Sequence, residues 1–261
     1  MIDLHSHLLP GVDDGSPSIG VSVPVLQRFA ALGVECVLLT PHLTASRASS
    51  APYERHVEIL EALRASASAL PDLRLGWEIM LDEPNVDLRS SRLSLGGSRA
   101  ALVEFPRVAV PARAGAELAR IRASGVLPVL AHPERYWGCN VKRVQEWRSA
   151  GAVIQMDVAS LAGRGTIAAT SRALLAGGLV DCFSSDNHGD SRSLATARDW
   201  LLAEGTAEHA ELLTRTNARR LLDDELPLLV PPLRRSHGIF SRLGEILRRS
   251  RRRALPPTLD R

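Results

Sequence analysis

The sequence predicts an α/β fold in which parallel strands and helices alternate and close, or nearly close, a barrel. Short apolar runs alternate with longer stretches whose apolar residues recur every 3.6 positions, as strands and helices do in βα units. Few polar residues interrupt the short runs, which is typical of parallel strands covered on both faces. Such a barrel needs roughly 250 residues, and the chain has 261, of which 45% are apolar.

The short apolar runs predict seven strands, which makes seven βα units. The strands are Ile2–Leu4, Cys36–Thr40, Leu73–Ile79, Ala101–Phe105, Val126–Ala131, Val153–Asp157 and Val180–Ser184. The first helix is expected to take Ser16 as its N-cap, Pro17 as its first residue and Gly33 as its stop. The other helices are predicted at Tyr53–Leu70, Ala112–Ser124, Val141–Ala150, Thr166–Ala176 and Leu194–Ala203.

Ionisable residues collect where the predicted strands end. In chain order the runs are His5-Ser6-His7, Asp13-Asp14, His42, Glu78, Glu104, His132-Pro133-Glu134-Arg135 and Ser185-Asp186-Asn187-His188. The carboxyl ends of parallel barrel strands all face one rim, where the βα loops build active sites. We therefore expect these side chains to converge.

The residue types at these strand ends indicate metal binding. Neutral imidazoles and carboxylates suit divalent cations such as manganese, iron and zinc. His5 and His7 stand two positions apart in an extended segment, so they point to one side and can reach one ion; a second such pair follows the seventh strand. Glu78 and Glu104 lie in apolar strands, where a charge without a counterion is costly. The prediction rests on this conjunction, because each motif alone is more often structural.

The remaining histidines and the cysteines are predicted to have no catalytic role. His56, His209 and His237 have no partner at strand-end spacing and are expected on the solvated surface. Cys36 and Cys182 lie in apolar runs and are expected to be buried as small apolar side chains. The chain has three cysteines and no C-x-x-C, which argues against a disulfide framework and a zinc-cysteine site.

The motifs together resemble the PHP (polymerase and histidinol phosphatase) superfamily, and within it the bacterial tyrosine-protein phosphatases of capsular and exopolysaccharide operons. Over about residues 1–225 the matching motifs are M-I-D-L-H-S-H, V-D-D-G, T-P-H, G-W-E-I, V-E-F, A-H-P-E-R-Y and S-D-N-H. The resemblance implies a distorted (β/α)7 barrel, similar to a TIM barrel, that holds three divalent cations. Manganese is favoured, with iron or zinc as alternatives.

The resemblance also assigns site residues, motif by motif. The metal ligands that it implies are His5, His7, Asp14, His42, Glu78, Glu104, His132, Asp186 and His188. Two arginines, Arg135 and Arg192, are implied to contact the phosphate. A salt bridge to a nearby carboxylate such as Glu134 is the structural alternative for Arg135.

The implied substrate is phosphotyrosine on the tail of a membrane-associated tyrosine autokinase that controls polysaccharide export. We hypothesise that a metal-activated hydroxide attacks phosphorus, while Arg135 and Arg192 offset charge on the equatorial oxygens. A phenolic leaving group has a pKa near 10 and needs little protonation. The cysteine-dependent mechanism is excluded, because no arginine stands six positions after any cysteine. Those positions hold His42, Gln145 and His188.

Rival functions remain open at this point. The enzyme alternatives are a phosphoesterase for a small ester such as histidinol phosphate and a metal-dependent nuclease. Barrel hydrolases that use a carboxylated strand lysine are disfavoured, because the one lysine, Lys142, lies in a predicted helix. A metal-stabilised binding module for a kinase or assembly partner is the non-enzymatic alternative.

Charge divides the chain into a predicted barrel domain, residues 1–232, and a basic tail, residues 233–261. The tail holds nine arginines and two acidic residues, a net charge of +7, which leaves −4 for residues 1–232. Ile239, Phe240 and Leu243 begin an apolar stripe at helical spacing, so the tail is either a basic amphipathic helix on an anionic membrane or a disordered segment. Nucleic-acid binding is disfavoured because aromatic residues are nearly absent there.

The sequence also predicts a cytoplasmic location. No apolar run approaches the roughly 18 residues that a membrane span needs, and the first residues lack the features of a signal peptide. The tail allows peripheral contact with the inner membrane face. Metal identity, physiological substrate, oligomeric state and the general acid for the leaving group are left open.

Overall fold

The computed structural model describes residues 1–162, 164–203 and 206–233. The strands are β1 (Ile2–Asp3), β2 (Cys36–Leu39), β3 (His42–Thr44), β4 (Asp72–Leu75), β5 (Glu78–Met80), β6 (Ala100–Glu104), β7 (Leu127–Ala131), β8 (Val153–Asp157) and β9 (Cys182–Ser184). They pair in parallel, as a three-stranded sheet in the order β1-β2-β4 and a six-stranded sheet in the order β3-β5-β6-β7-β8-β9. The chain is therefore a mixed α/β protein with parallel sheets.

Two short bends interrupt the strand order, one after the predicted strand Cys36–Thr40 and one inside the predicted strand Leu73–Ile79. The chain passes from β2 to β3 through Thr40 and Pro41, and from β4 to β5 through Gly76 and Trp77. Proline has no N–H for a ladder, and a Cβ on Gly76 would lie 2.8 Å from the Leu95 side chain. The prediction of one continuous strand over Leu73–Ile79 is therefore wrong, and β3 was not predicted.

The chain segments that follow β1 and β9 meet side by side. The Asp186 N–H donates to the His5 carbonyl oxygen at 3.0 Å, and the His7 N–H donates to the Asn187 carbonyl oxygen at 2.8 Å. Ser6 and Asn187 form an isolated parallel bridge. These contacts bring the ligand candidates of the first and last strands together.

Helices follow most of the strands and connect them. They are α1 (Ile19–Ala31), α2 (Tyr53–Ala65), α3 (Ala114–Ala123), α4 (Val141–Ser149), α5 (Ala159–Ala162), α6 (Thr166–Ala176), α7 (Leu194–Ala203), α8 (Ala207–Glu211) and α9 (Asn217–Leu222). Short 3-10 turns lie at Ala45–Ser50, Ser91–Leu93, Leu95–Gly97 and Pro133–Arg135, and a π turn at Leu212–Thr216 joins α8 to α9. The predicted βα alternation is confirmed.

The start of α1 differs from the prediction. Ser18 is the N-cap residue, so Ser16 and Pro17 precede the helix. Ser16 is instead committed to the preceding loop: its N–H donates to the His7 carbonyl oxygen at 2.8 Å and its hydroxyl donates to the Ser18 carbonyl oxygen at 3.1 Å. The predicted stop is confirmed, because Gly33 follows the helix with φ 87°, a conformation that glycine adopts without strain.

Alternate residues along the strands enter two apolar clusters. Cys36 and Leu38 of β2 belong to a smaller cluster that also contains Cys182. Val37 and Leu39, the neighbours of Leu38, belong to the larger cluster shared with the helices. Strands with opposite faces in separate clusters are covered on both sides. The predicted burial of Cys36 and Cys182 is confirmed.

Two histidines predicted on the surface are buried. His56 in α2 is 7% exposed, and its ring centroid lies 4.5 Å from that of Trp77. His209 in α8 is 9% exposed, and its Nε2 donates to the Pro231 carbonyl oxygen at 2.8 Å. Spacing alone does not reveal tertiary packing, so this prediction was wrong for both. His237 lies outside the described residues.

The described part of the chain ends shortly before the basic tail. Leu233, its last residue, donates its N–H to the carbonyl oxygen of Leu175 in α6 at 3.1 Å. The predictions for the rest of residues 233–261 lie outside the described residues. Within the described residues, every helix is too short or too polar to cross a bilayer.

Candidate metal centre

The side chains that the sequence marks as ligands lie together; most follow or end a strand, whereas His42 and Glu78 begin β3 and β5. They form four overlapping groups, and the ligand atoms of each group lie within 4.8 Å of one another. The groups are His7, Asp14, His42 and His188; His5, Glu78 and His132; His5, His7 and Asp186; and His42, Glu78 and Glu104. All nine predicted ligands are present, although they come from six strand ends.

The inner half of the centre is fully buried. His5 Nε2 lies 3.1 Å from His7 Nε2, and 3.3 Å from both Glu78 Oε2 and Asp186 Oδ1. His7 Nε2 lies 3.3 Å from Glu78 Oε2 and 3.2 Å from Asp186 Oδ1. The second Glu78 oxygen, Oε1, lies 2.6 Å from His132 Nε2. Two carboxylates thus face three imidazoles in a space without solvent.

The outer half is open to solvent. His42, which is 44% exposed, places Nδ1 3.0 Å from Glu78 Oε2 and Nε2 3.2 Å from Asp14 Oδ1. Asp14 is 70% exposed and also lies 3.7 Å from His188 Nε2. Burial and the negative charge of Glu78 raise the pKa of Glu104. Glu78 therefore links the inner and outer groups.

Two hydrogen bonds orient the first histidine pair, one of them buried and one partly buried, and the sequence analysis missed both partners. His5 Nδ1 donates to Gln155 Oε1 at 3.1 Å, and His7 Nδ1 donates to Asp13 Oδ2 at 2.7 Å. A proton on Nδ1 leaves the Nε2 lone pair free to bind a cation. Two sequence signals were available. Gln155 is a polar residue inside the apolar strand β8, and Asp13 is an acid adjacent to Asp14.

The buried carboxylates of the centre favour protons on its histidines. Burial alone lowers the pKa of His5, but Glu78 and Asp186 raise it to about 9. Burial also lowers the pKa of His7, but hydrogen bonds with Asp13, Asp186 and Glu78 raise it to about 11. Buried carboxylates need positive charge nearby, which either protons or cations supply. The nitrogen and oxygen donors fit a divalent first-row cation.

Two ligand candidates hold a strained backbone. His132 has φ 33° and Asp186 has φ 47°, in the left-handed region that disfavours residues other than glycine. The turn after β7 fixes the backbone of His132, since the Arg135 N–H donates to the His132 carbonyl oxygen at 3.0 Å. Such strain persists where the surrounding structure imposes it, often at functional sites.

Arg135 lies at the edge of the centre. It contacts the Asp157 carboxylate, and its Nη2 lies 2.7 Å from Asp186 Oδ2. The structural alternative, a salt bridge to a nearby carboxylate, is therefore present, with Asp157 and Asp186 as the partners rather than Glu134. Burial would lower the pKa of Arg135, but Asp157 and Asp186 raise it further above its usual range. Its charge is therefore permanent beside a ligand candidate.

Arg192 reaches the same edge from the loop after β9. Its Nη1 lies 3.3 Å from Asp186 Oδ2 and its Nη2 lies 2.9 Å from His188 Nδ1. Asp190 holds the other end of the guanidinium, at 2.8 Å from Nε. Both predicted arginines thus flank Asp186.

Two surface grooves lie beside the centre. The larger, of about 1080 Å³, includes His42 and Glu104 in its lining. The smaller, of about 570 Å³, includes Arg135 and Asp157. The larger groove therefore opens onto two outer ligand candidates, and the smaller one borders the centre through Arg135, which contacts Asp186.

Histidines and acids that cluster at the ends of parallel strands make this an α/β protein with a candidate metal centre. The particular family follows from comparison with known sequences. The chain belongs to the CpsB/CapC family of capsular polysaccharide synthesis, whose model matches residues 1–223. The match includes every residue of the candidate centre.

The similarity extends over most of the chain. The tyrosine-protein phosphatase YwqE of Bacillus subtilis (strain 168) is 28% identical over 250 residues, covering 89% of this chain and 95% of YwqE. The tyrosine-protein phosphatase CpsB of Streptococcus pneumoniae is 29% identical over 243 residues, covering 87% of this chain and all of CpsB. A crystal structure from work on YwqE and CpsB, described there as metal-dependent tyrosine phosphatases, matches with a TM-score of 0.76 at 25% identity, covering 90% of this chain and 100% of that one.

Proposed function

We propose that the chain is a metal-dependent protein-tyrosine phosphatase. The observation that carries this proposal is the convergence of nine nitrogen and oxygen ligands beside two arginines. Membership in the CpsB/CapC family supports it, because full-length relatives are named tyrosine-protein phosphatases. The reaction would release inorganic phosphate from a tyrosine side chain.

The scaffold of this enzyme would be a distorted (β/α)7 barrel. The pairs β2 with β3 and β4 with β5 each count as one bent strand, which gives seven strand positions. Hydrogen bonds between the segments after β1 and β9 support a closed ring. Residues 1–232 would form this catalytic domain, with residues 233–261 as a separate tail.

The nine residues would hold three divalent cations, with manganese favoured over iron or zinc. Four overlapping ligand groups support more than one ion, since residues such as Glu78 and His5 belong to two groups each. When bound, such ions lower the pKa of water toward neutrality and polarise phosphoryl oxygens. Gln155 and Asp13 would keep His5 and His7 in the tautomer that binds a cation.

The protein's own residues would position and stabilise the phosphate. Arg135 and Arg192 carry planar guanidinium groups that match pairs of phosphate oxygens. Their contacts with Asp186 place both charges at the edge of the centre, where charge develops on the equatorial oxygens. Tyrosine is a good leaving group, with a pKa near 10, so no strong general acid is required.

The physiological substrate would be a phosphotyrosine protein of capsule or exopolysaccharide synthesis, in particular a membrane-associated tyrosine kinase. The family description and the names of the relatives support this choice. The enzyme would be cytoplasmic, and the +7 tail could bring it to the inner membrane face. Liposome sedimentation of the full chain and of a variant ending at residue 232 tests the tail, and equal pelleting would exclude membrane contact.

A paired assay tests the proposed activity. We expect metal-loaded protein to hydrolyse a phosphotyrosine peptide in preference to histidinol phosphate, and a chelator to abolish the activity. Thiol alkylation should leave turnover unchanged, because the described cysteines are buried or partly buried away from the centre. His5→Ala should lose bound metal and turnover together. Retention of both would contradict the ligand assignment.

A further inference from the structure

The groove at the arginine edge is unusually apolar for an exposed surface. Val108 and Trp137 are each 78% exposed, and Ile167 is 46% exposed. These are three of the seven large apolar side chains that are exposed among the described residues. All three line the groove that also contains Arg135. We name Val108, Trp137 and Ile167 the Trp137 platform. Clustered exposed apolar side chains mark interaction sites, whereas scattered ones need no explanation.

The position of Trp137 is fixed by its neighbours. Its backbone N–H donates to the Arg107 carbonyl oxygen at 2.8 Å. Tyr136, the preceding residue, is buried, and its hydroxyl donates to the Ala131 carbonyl oxygen at 2.9 Å and accepts from the Phe105 N–H at 3.1 Å. The exposed indole therefore projects from an anchored backbone, so little ordering is required when a partner binds.

The groove of the platform borders the candidate metal centre through Arg135, whose Nη2 lies 2.7 Å from Asp186 Oδ2. One short segment supplies a ligand candidate, a phosphate-facing arginine and the exposed indole, as His132, Arg135 and Trp137. Arg107 adds a second positive charge to the groove, and it forms no ion pair within the described residues. The groove volume, about 570 Å³, falls within the roughly 300–1,000 Å³ of ligand-binding pockets.

These features fit an anionic ligand that carries an apolar group. Arginine and tryptophan are the residue types that dominate binding energy in interfaces. The phosphate end of the ligand would lie at Arg135, and the apolar part would cover Trp137. The larger groove presents no exposed indole, because its Trp77 is 2% exposed and donates Nε1 to the Arg92 carbonyl oxygen.

We infer that the Trp137 platform is the docking site for apolar side chains next to the phosphotyrosine of a substrate peptide. This inference rests on the proposed function and adds a specificity to it. The phosphotyrosine enters the metal centre past Arg135, and a neighbouring apolar side chain packs against Trp137. Substrates would then be selected by the residues around the phosphotyrosine as well as by the phosphate.

Peptide kinetics test this specificity. One phosphotyrosine peptide carries leucine on both sides of the phosphotyrosine, and a matched peptide carries glycine. For the wild-type protein we expect kcat/KM to be about tenfold higher for the leucine peptide, since burying one leucine contributes about that factor. Trp137→Ala should reduce this ratio to near one. Leu229→Ala, which removes another exposed side chain (83% exposed) outside the groove, should keep the wild-type ratio.

Intrinsic fluorescence supplies a readout that needs no variant. Trp137 is the single exposed tryptophan of the four in the chain; the other three are Trp77 at 2%, Trp147 at 3% and Trp200 at 3% exposure. Quenching by acrylamide therefore reports on the platform. A non-hydrolysable phosphonate analogue of the leucine peptide should protect metal-loaded protein from quenching, and the glycine analogue should protect it less.

The outcomes separate this inference from the proposed function. If wild-type protein hydrolyses neither peptide, the proposed function fails. If it hydrolyses both equally, or Trp137→Ala keeps the preference, the docking site is wrong while the phosphatase activity stands. Light scattering of both proteins addresses a second copy of the chain as the occupant. A wild-type dimer that Trp137→Ala dissociates without a change in peptide preference would overturn the inference.

Discussion

The two halves of the candidate metal centre differ in how firmly the protein holds their ligands. In the inner half, the side chains of His5, His7 and Glu78 are at most 2% exposed, and hydrogen bonds to Gln155 and Asp13 orient the two imidazoles. In the outer half, Asp14 is 70% exposed and His42 is 44% exposed. The inner half is pre-organised by packing, whereas the outer half depends on solvent-exposed side chains. We therefore expect inner cations to bind more tightly than outer ones.

The largest expected effect is the loss of the carboxylate that joins the two halves. Glu78→Gln keeps the size of the side chain but removes a buried charge that faces His5, His7 and His132. We expect the loss of more than one metal per chain and a fall in turnover on the order of a thousandfold or more, the scale of several kcal/mol of metal catalysis.

Elemental analysis and phosphotyrosine turnover measure this prediction. Glu58→Gln, on the exposed side of α2, is the matched control and should resemble wild type. A Glu78→Gln protein with full metal content would show that this residue does not link the two halves.

A smaller effect is expected in the outer half. Asp14→Ala should weaken one metal site, because the remaining ligands His42 and His188 stay in place. Turnover should fall at low metal concentration and recover when the metal concentration is raised. Titration of activity with manganese measures the recovery. The same titration on Glu78→Gln should show little recovery, and equal recovery in both variants would remove the distinction between the halves.

Removing an orienting partner should have an intermediate effect within the inner half. Asp13→Asn replaces the anionic acceptor of the His7 Nδ1–H with a neutral one. Such partners typically change metal affinity by about 10- to 100-fold. Competition with a chelator of known affinity measures the change. An unchanged affinity would indicate that packing alone fixes the His7 ring.

The stability of the metal-free protein should depend on pH through the same inner histidines. The pKa values of His5 and His7 are raised to about 9 and about 11, above the ordinary value of about 6.5. Their stabilising charge is therefore fully present below about pH 6.5 and is lost as the pH rises through the folded values. Thermal unfolding of metal-free protein should show Tm falling by roughly 5–10 °C between pH 7 and 10.

Metal-loaded protein is the control for this pH dependence. Its imidazoles are neutral ligands, and metal affinity rises as protons are removed. Its Tm should therefore not fall over the same range. A Tm that falls equally with pH in the metal-free and the metal-loaded protein would contradict the stabilising charge assigned to His5 and His7.

The sequence predicted the strands well because parallel, doubly covered strands are continuous apolar runs. Val153–Asp157 matches β8 at both ends, and the other predicted strands overlap observed ones. The bend at Gly76 was not predictable, because it depends on close contact with Leu95. The burial of His56 and His209 was not predictable either, because it depends on which face of each helix packs against the core.

The ligand candidates were predictable because strand ends of a parallel sheet converge whatever their separation in sequence. His5 and Asp186 are 181 positions apart in number, yet their side chains lie 3.3 Å apart. The residues that orient them were harder to find. Gln155 lies 150 positions from His5 along the chain and contacts it directly in the fold. Residue spacing carries no information about such a contact.

A crystal structure of the full chain grown with manganese tests the central claim most directly. Anomalous scattering locates each bound ion without assumptions about its ligands. We predict separate peaks among His5, His7, Asp186, Glu78 and the outer residues, with the highest occupancy in the inner half. Absence of any peak there, or ligands that turn away from one another, would contradict a metal centre at these strand ends.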